Sequence, residues 1–207
     1  MGSFTEAYLE ETGRIVAAIE PDQVERLAEG LARVRDRSGR LFILGVGGSA
    51  GHASHAVNDF RKLCGIEAYS PVDNVSELTA RINDEGWDTS FSAWLRGSKL
   101  GPDDGVLVFS VGGGDRLHGI SANIVNALEA ARAAGSFIVG VVGRDGGATA
   151  EMGDAVVLIP PLVAERLTAH AEGLCAVVWH LLVSHPRLQR GPTKWESVVG
   201  STTWSAT

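Results

Sequence analysis

Leu41-Phe42-Ile43-Leu44-Gly45-Val46-Gly47-Gly48-Ser49 is an unbroken apolar run that stops in glycines, and an amphipathic helical pattern follows it over residues 49–63. Continuous rather than alternating apolarity predicts a strand covered on both faces, so the order is strand, tight turn, helix. Such a turn presents backbone N–H groups and the positive end of a helix to an anion. It lacks the lysine of a P-loop, and its glycines do not fall at the spacing of a dinucleotide fingerprint. By itself it serves packing as well as binding.

The same alternation extends in both directions. Two amphipathic helices, 4–19 and 22–37, precede the strand and break at Pro21. After it come a weak strand at 68–70, helical stretches at 76–83 and 89–100, and a clear strand at 106–111 that ends in Gly112-Gly113-Gly114. An alanine-rich helix is expected over 117–134, then strands at 137–142 and 155–159 and a long apolar helix over 163–183. The fold class expected is α/β, an open doubly wound sheet of about five parallel strands with a leading helical hairpin. Ligands in such sheets sit beyond the carboxyl ends of the strands, which directs attention to 45–59, 110–118 and the last helix. No solenoid-length repeat is present, and the tail after Pro186 has no periodicity.

At 207 residues the chain is one core's worth. Its 44% hydrophobic and 21% charged residues exclude fibrous and disordered classes. A net charge of -7 gives no basic footprint for nucleic acid or an anionic membrane, so small molecules are the expected clients. Two cysteines, Cys64 and Cys175, both in apolar stretches, make neither a disulfide framework nor a thiolate metal cluster. No export signal and no uncharged run near 18 residues is seen, and a cytoplasmic location is the expectation.

Within the helix after the glycine turn, His55 and Asp59 are four residues apart and share one face, the spacing that offers two ligands to one metal. An exposed pair at this spacing is equally a solvated contact.

Several motifs in order resemble the sugar isomerase (SIS) domain, and within it the bacterial sedoheptulose 7-phosphate (phosphoheptose) isomerases. Gly45-Val46-Gly47-Gly48-Ser49-Ala50 with His55 and Asp59 is similar to the family's first signature. Leu78-Thr79-Ala80, Asn83-Asp84 and Gly86-Trp87-Asp88 match its second, and Leu128 to Arg132 with Gly143 to Gly147 match a later one. Glu172 and His180 stand where the family has a Gln and a His on its last helix. The resemblance spans about 4–182 and implies one SIS domain over 1–186 with an irregular tail over 187–207.

What the resemblance implies is a homotetramer with sites between subunits and one Zn²⁺ per subunit, or another divalent metal, held by His55, Asp59, Glu172 and His180. Asp59 and His180 take the acid and base positions that move a proton between C1 and C2 of a ketose phosphate through an enediolate. Gly47, Gly48, Ser49, Asn83, Asp84, Ser110, Gly112, Asp115 and Glu172 fall at substrate-binding positions. Eight helical residues rise about 12 Å, so Glu172 and His180 reach one ion only through long side chains, a helix irregularity near Gly173, or two subunits.

Three departures stand out. Asp59 is one methylene shorter than the family's Glu, and Val46 replaces an Asn. The phosphate loop reads Ser110-Val111-Gly112-Gly113-Gly114-Asp115 in place of a hydroxyl-rich Ser-Thr-Ser-Gly-Asn-Ser. With a helix expected to start just after it, Asp115 would cap that helix and repel the phosphate. The function expected is a metal-dependent aldose–ketose isomerase acting on a sedoheptulose 7-phosphate-like sugar. Two alternatives stand beside it: a metal-dependent SIS enzyme of specialised metabolism acting on a non-phosphorylated substrate, and a non-catalytic SIS binding or regulatory protein.

Overall fold

The computed structural model describes residues 2–194; the end of the tail, 195–207, lies outside them. The leading helices are α1 (Phe4–Ala17) and α2 (Pro21–Asp36), followed by β1 (Arg40–Leu44), α3 (Gly48–Cys64) and β2 (Glu67–Tyr69). Then come α4 (Val75–Glu85), α5 (Ser90–Gly97), β3 (Gly105–Ser110), α6 (Ala122–Ala133) and β4 (Phe137–Val142). The chain continues through α7 (Gly147–Met152), β5 (Ala155–Leu158) and α8 (Leu167–Ser184). Ser3 and Glu6 close a reciprocal capping box on α1, and Pro21 opens α2, both expected helix starts.

The five strands are parallel in the order β2-β1-β3-β4-β5. Strand order reverses between β1 and β3, and the crevice for a ligand lies beyond their carboxyl ends. Successive side chains of β1 face opposite layers. Leu41 and Ile43 pack with α2, α3 and α8, while Phe42 and Leu44 pack with α5 and α6. Both cysteines fill this core, where burial pushes each thiol up to about 12.

Residues 164–184 are long and apolar enough to cross a membrane by length and composition. In the fold, Leu174, Cys175, Val178, Trp179 and Leu182 of this segment are buried in the sheet's core, which accounts for the apolarity. Helix α1 is anchored by buried Ile15 and by Glu11, which accepts bonds from Arg166 Nε (2.7 Å) and pairs with His170 Nε2 at 3.2 Å. Its Phe4, Leu9 and Val16 face outward.

One expected element differs, and one helix lies outside the expectation. The helix placed at 117–134 begins only at Ala122, because Gly113, Gly114 and Gly119 take positive φ and residues 115–120 close a bridged turn instead. The short helix α7 is too brief for periodicity to reveal.

The two loops beside the switch point are joined backbone to backbone. Gly143 N–H donates to Ser110 O (3.2 Å), Ala148 N–H to Gly114 O (2.9 Å), and both the N–H and the hydroxyl of Thr149 to Gly113 O (3.0 and 2.8 Å). A Cβ on Gly113 would overlap the Gly146 carbonyl, and one on Gly147 would overlap the carbonyls of Gly112 and Gly114. Gly112 has no such neighbour: its nearest is Arg144 Cδ at 3.9 Å. Gly113→Ala is therefore expected to cost more than about 2 kcal/mol in denaturant unfolding, against less than about 1 kcal/mol for Gly112→Ala.

At the opposite end of these strands, Asp104 sets the stagger of β1 against β3. Its carboxylate accepts from Arg40 N (2.8 Å), Arg40 Nη2 (2.7 Å) and Gly101 N (2.9 Å). Burial alone would raise this carboxyl, but the Arg40 hydrogen bonds outweigh it and hold it below the usual carboxylate range. The stabilisation is present above the unfolded-state pKa and is lost as pH falls through the depressed folded value. Asp104→Asn should lower stability at pH 7 by about 2 kcal/mol and flatten the acid limb of the stability–pH curve. Urea titrations between pH 2 and 7 measure both effects.

Candidate active site

A 270 Å³ cavity opens at the switch point, lined by Ser49, Ser110, Gly112, Asp115, Arg144 and Glu172 among others. Ser49, in the first turn of α3, and Ser110, at the end of β3, are buried. The Ser110 hydroxyl accepts the Gly113 N–H at 3.0 Å, which shapes the glycine loop. Glu172 reaches across from α8 to the start of α3, where a Cβ on Gly48 would lie 2.6 Å from its Oε1. Gly48 thus leaves the space that the Glu172 carboxylate occupies beside α3, and Gly47, with φ of +61°, makes the turn into α3.

Further along the same helix pair, His55 and Asp59 of α3 meet His180 of α8. One ligand atom from each lies within 4.8 Å of the others. His55 Nε2 stands 3.7 Å from Asp59 Oδ2, and Asn58 Nδ2 donates to Asp59 Oδ1 at 2.8 Å. His180 Nδ1 contacts the Ala176 carbonyl at 2.7 Å; a carbonyl can only accept, so Nδ1 carries the proton and Nε2 keeps its lone pair outward. Buried Trp179 stacks on His180 at 3.5 Å and meets His55 edge-on at 4.7 Å, which restricts both imidazoles. Two imidazole nitrogens and a carboxylate oxygen are the donor set of a zinc site with an open position, and these residues fit such an ion.

Glu172 does not join this cluster within one chain. It lies two helical turns from His180, about 12 Å of rise, and points to Gly48 instead. Asn83 and Asp84 also stay outside the cavity. They are exposed at the end of α4, Asn83 Nδ2 donating to Asp84 Oδ1 at 2.7 Å, on a helix that buries none of its residues.

Asp115 lines the cavity but does not cap α6. Six residues separate it from Ala122, and the N-cap position belongs to Ser121, in left-handed conformation. Asp115 instead pairs with Ile120 through two backbone bonds of 2.9 and 3.1 Å. Its carboxylate accepts the His118 N–H (3.1 Å) and contacts His118 Nδ1 (2.8 Å). Arg144 Nη1 stands 3.7 Å away. The hydrogen bond from the His118 side chain is the largest influence holding this carboxyl below its ordinary value. The expected competition with a phosphate for helix N–H groups thus loses its geometric basis.

Arg144 is the cavity residue that sequence reasoning did not select. It sits in the Gly143 to Gly147 stretch, whose similarity to the family pattern was its only signal, and only the joined loops bring it beside Gly112.

No family model matches the chain. It is 33% identical over 184 residues to the phosphoheptose isomerase of Solidesulfovibrio magneticus, covering 85% of this chain and 84% of that protein. It is 32% identical over 188 residues to the lincomycin biosynthesis protein LmbN of Streptomyces lincolnensis, covering 86% of this chain but spanning about two thirds (66%) of that protein. Among solved structures, phosphoheptose isomerase GmhA from Neisseria gonorrhoeae superposes with a TM-score of 0.75 at 26% identity, over 87% of this chain and 95% of that one. Five parallel strands in this order, the glycine turn leading into α3, and relatives that run through nearly the whole sheet make the chain a member of the phosphoheptose isomerase-like family of SIS-domain proteins.

Proposed function

We propose that this protein is a metal-dependent aldose–ketose isomerase acting on a sedoheptulose 7-phosphate-like sugar. The observation that carries the reading is the convergence of His55, Asp59 and His180 on the same helix pair, α3 and α8, that contributes Ser49 and Glu172 to the switch-point cavity about two turns away. When bound, a divalent ion, Zn²⁺ by the donor set, supplies polarisation of the sugar's carbonyl and hydroxyl oxygens. His55 and His180 would hold it, His180 through Nε2. His180 has only Nε2 to offer, because Nδ1 is tied to Ala176, so it cannot hold an ion and shuttle a proton with the same atom. Asp59 has two oxygens and is the group left to move the proton between C1 and C2 through an enediolate. An extended sugar then runs along α3 and α8 with its carbonyl end at the His55–His180 cluster. Glu172 accepts hydroxyls midway, and the far end enters the cavity at Ser49, Ser110 and Gly112.

We also propose a homotetramer in the cytoplasm whose active sites are completed between subunits. Phe4, Leu9 and Val16 on α1 and Val177 and Leu181 on α8 support this, since they turn apolar side chains outward. Asn83 and Asp84, remote from their own cavity, are available to a neighbouring copy. The similarity to a lincomycin biosynthesis protein supports a second reading, an isomerase serving a specialised pathway with a modified substrate. The three-residue cluster disfavours a non-catalytic role.

Purified protein is expected to carry about one zinc per chain by elemental analysis, and His55→Ala with His180→Ala to lose it. The zinc-loaded wild type should exchange a C1 hydrogen of sedoheptulose 7-phosphate in D₂O, and Asp59→Asn should slow this at least about 100-fold. Stoichiometric zinc in the double variant, or no exchange by the wild type, would overturn the reading. Sedimentation as a monomer at micromolar concentration would refute the tetramer.

A further inference from the structure

The cavity that would take the far end of the substrate lacks the loop hydroxyls of the family pattern but holds a cation, Arg144. Its glycine loop cannot regain side chains at Gly113 or Gly114: the first abuts the Gly146 carbonyl, the second stands 2.9 Å from Val125 Cγ2, and both have positive φ. The same close approach carries the neighbouring loop forward, and Arg144 rides on it. Arg144 adopts φ of +56°, a conformation that costs a non-glycine residue energy and persists only where the surroundings impose it. Its guanidinium lies about 4 Å from the Gly112 Cβ position and lines both the switch-point cavity and the adjoining 220 Å³ cavity.

The charge balance there is informative. Arg144 has five N–H donors, yet its acidic neighbours, Asp115 at 3.7 Å and Asp145 at 3.8 Å, are too far for tight bonds. Asp115 already has two close contacts to His118, at its N–H and its Nδ1, so it can give up Arg144 and keep hydrogen-bond partners. A strained, half-exposed arginine, loosely held beside a counter-ion with its own second partner, is arranged to exchange that counter-ion for a better one.

We infer that Arg144 is the specificity-determining residue of this site, taking the substrate's terminal phosphate in place of the missing loop hydroxyls. The fork of N–H donors matches two phosphate oxygens, a stronger contact than a row of neutral hydroxyls provides. The inference rests on the proposed sugar phosphate reading and adds to it the group that tells phosphorylated from free sugar.

The test is calorimetric titration of zinc-supplied protein with sedoheptulose 7-phosphate and, in parallel, with unphosphorylated sedoheptulose. Arg144→Asn is the informative variant, because asparagine tolerates left-handed backbone and the fold is retained; thermal unfolding checks this. Arg144→Lys keeps the charge without the fork. The wild type is expected to prefer the phosphorylated sugar. Arg144→Asn should lose about 10–100-fold of that preference while binding free sedoheptulose as before, with Arg144→Lys intermediate. If the wild type prefers the phosphate and Arg144→Asn leaves the preference intact, or weakens both sugars equally, Arg144 is not the phosphate reader and the isomerase reading stands. If the wild type shows no preference for the phosphorylated sugar, both readings fall.

Discussion

Close packing of α3 on α8 is the contact on which the rest of the candidate site depends. Gly48 meets Glu172 at one end and His55 meets His180 two turns on, so the two helices run side by side in the same direction. Small residues on the inner face of α3, Ala53 and Ala56, are fully buried and permit the approach, while Trp179 and Val178 fill the space below. In a packed interior these positions are not free to drift, because a void or overlap of a methyl group is felt throughout. Two candidate zones follow from one interface: a three-donor cluster in the middle of the helix pair and a carboxylate at its start.

A second constraint sits across the cavity, where glycines on both loops let backbone meet backbone. Hydrogen bonds from Gly143, Ala148 and Thr149 replace the side chains such a loop would otherwise carry. The consequence is electrostatic as much as steric. Among the lining residues of the cavity, Asp115 and Glu172 bring negative charge and Arg144 brings the positive charge. Asp115 is tied locally to His118 through contacts at its N–H and its Nδ1.

The outer helices obey a different logic. α4 buries no residue and is steadied by ion pairs along its own surface, Arg81 with Glu77 and Glu85. Exposed pairs of this kind contribute little, typically below about 1 kcal/mol. α1 is held at the Glu11–Arg166–His170 cluster and shows apolar side chains on its far side. Both elements have faces that the described residues do not cover.

The parallel sheet, the strand–turn–helix opening and most helix boundaries were legible in the sequence. They depend on continuous apolar runs, glycine punctuation and proline breaks, which act over a few residues. His55 and Asp59 were legible for the same reason, since four residues of helix return to one face. Spacing alone could not say where Glu172 points, because two turns of separation allow several outcomes and only the packing against Gly48 chooses one. Nor could it show that Asp115 closes a turn rather than capping α6: three left-handed glycines redirect the chain, and a glycine's φ cannot be read from its neighbours. Arg144 entered the cavity because Gly113 and Gly147 let two distant loops touch, a contact between residues more than thirty positions apart that tertiary structure alone decides.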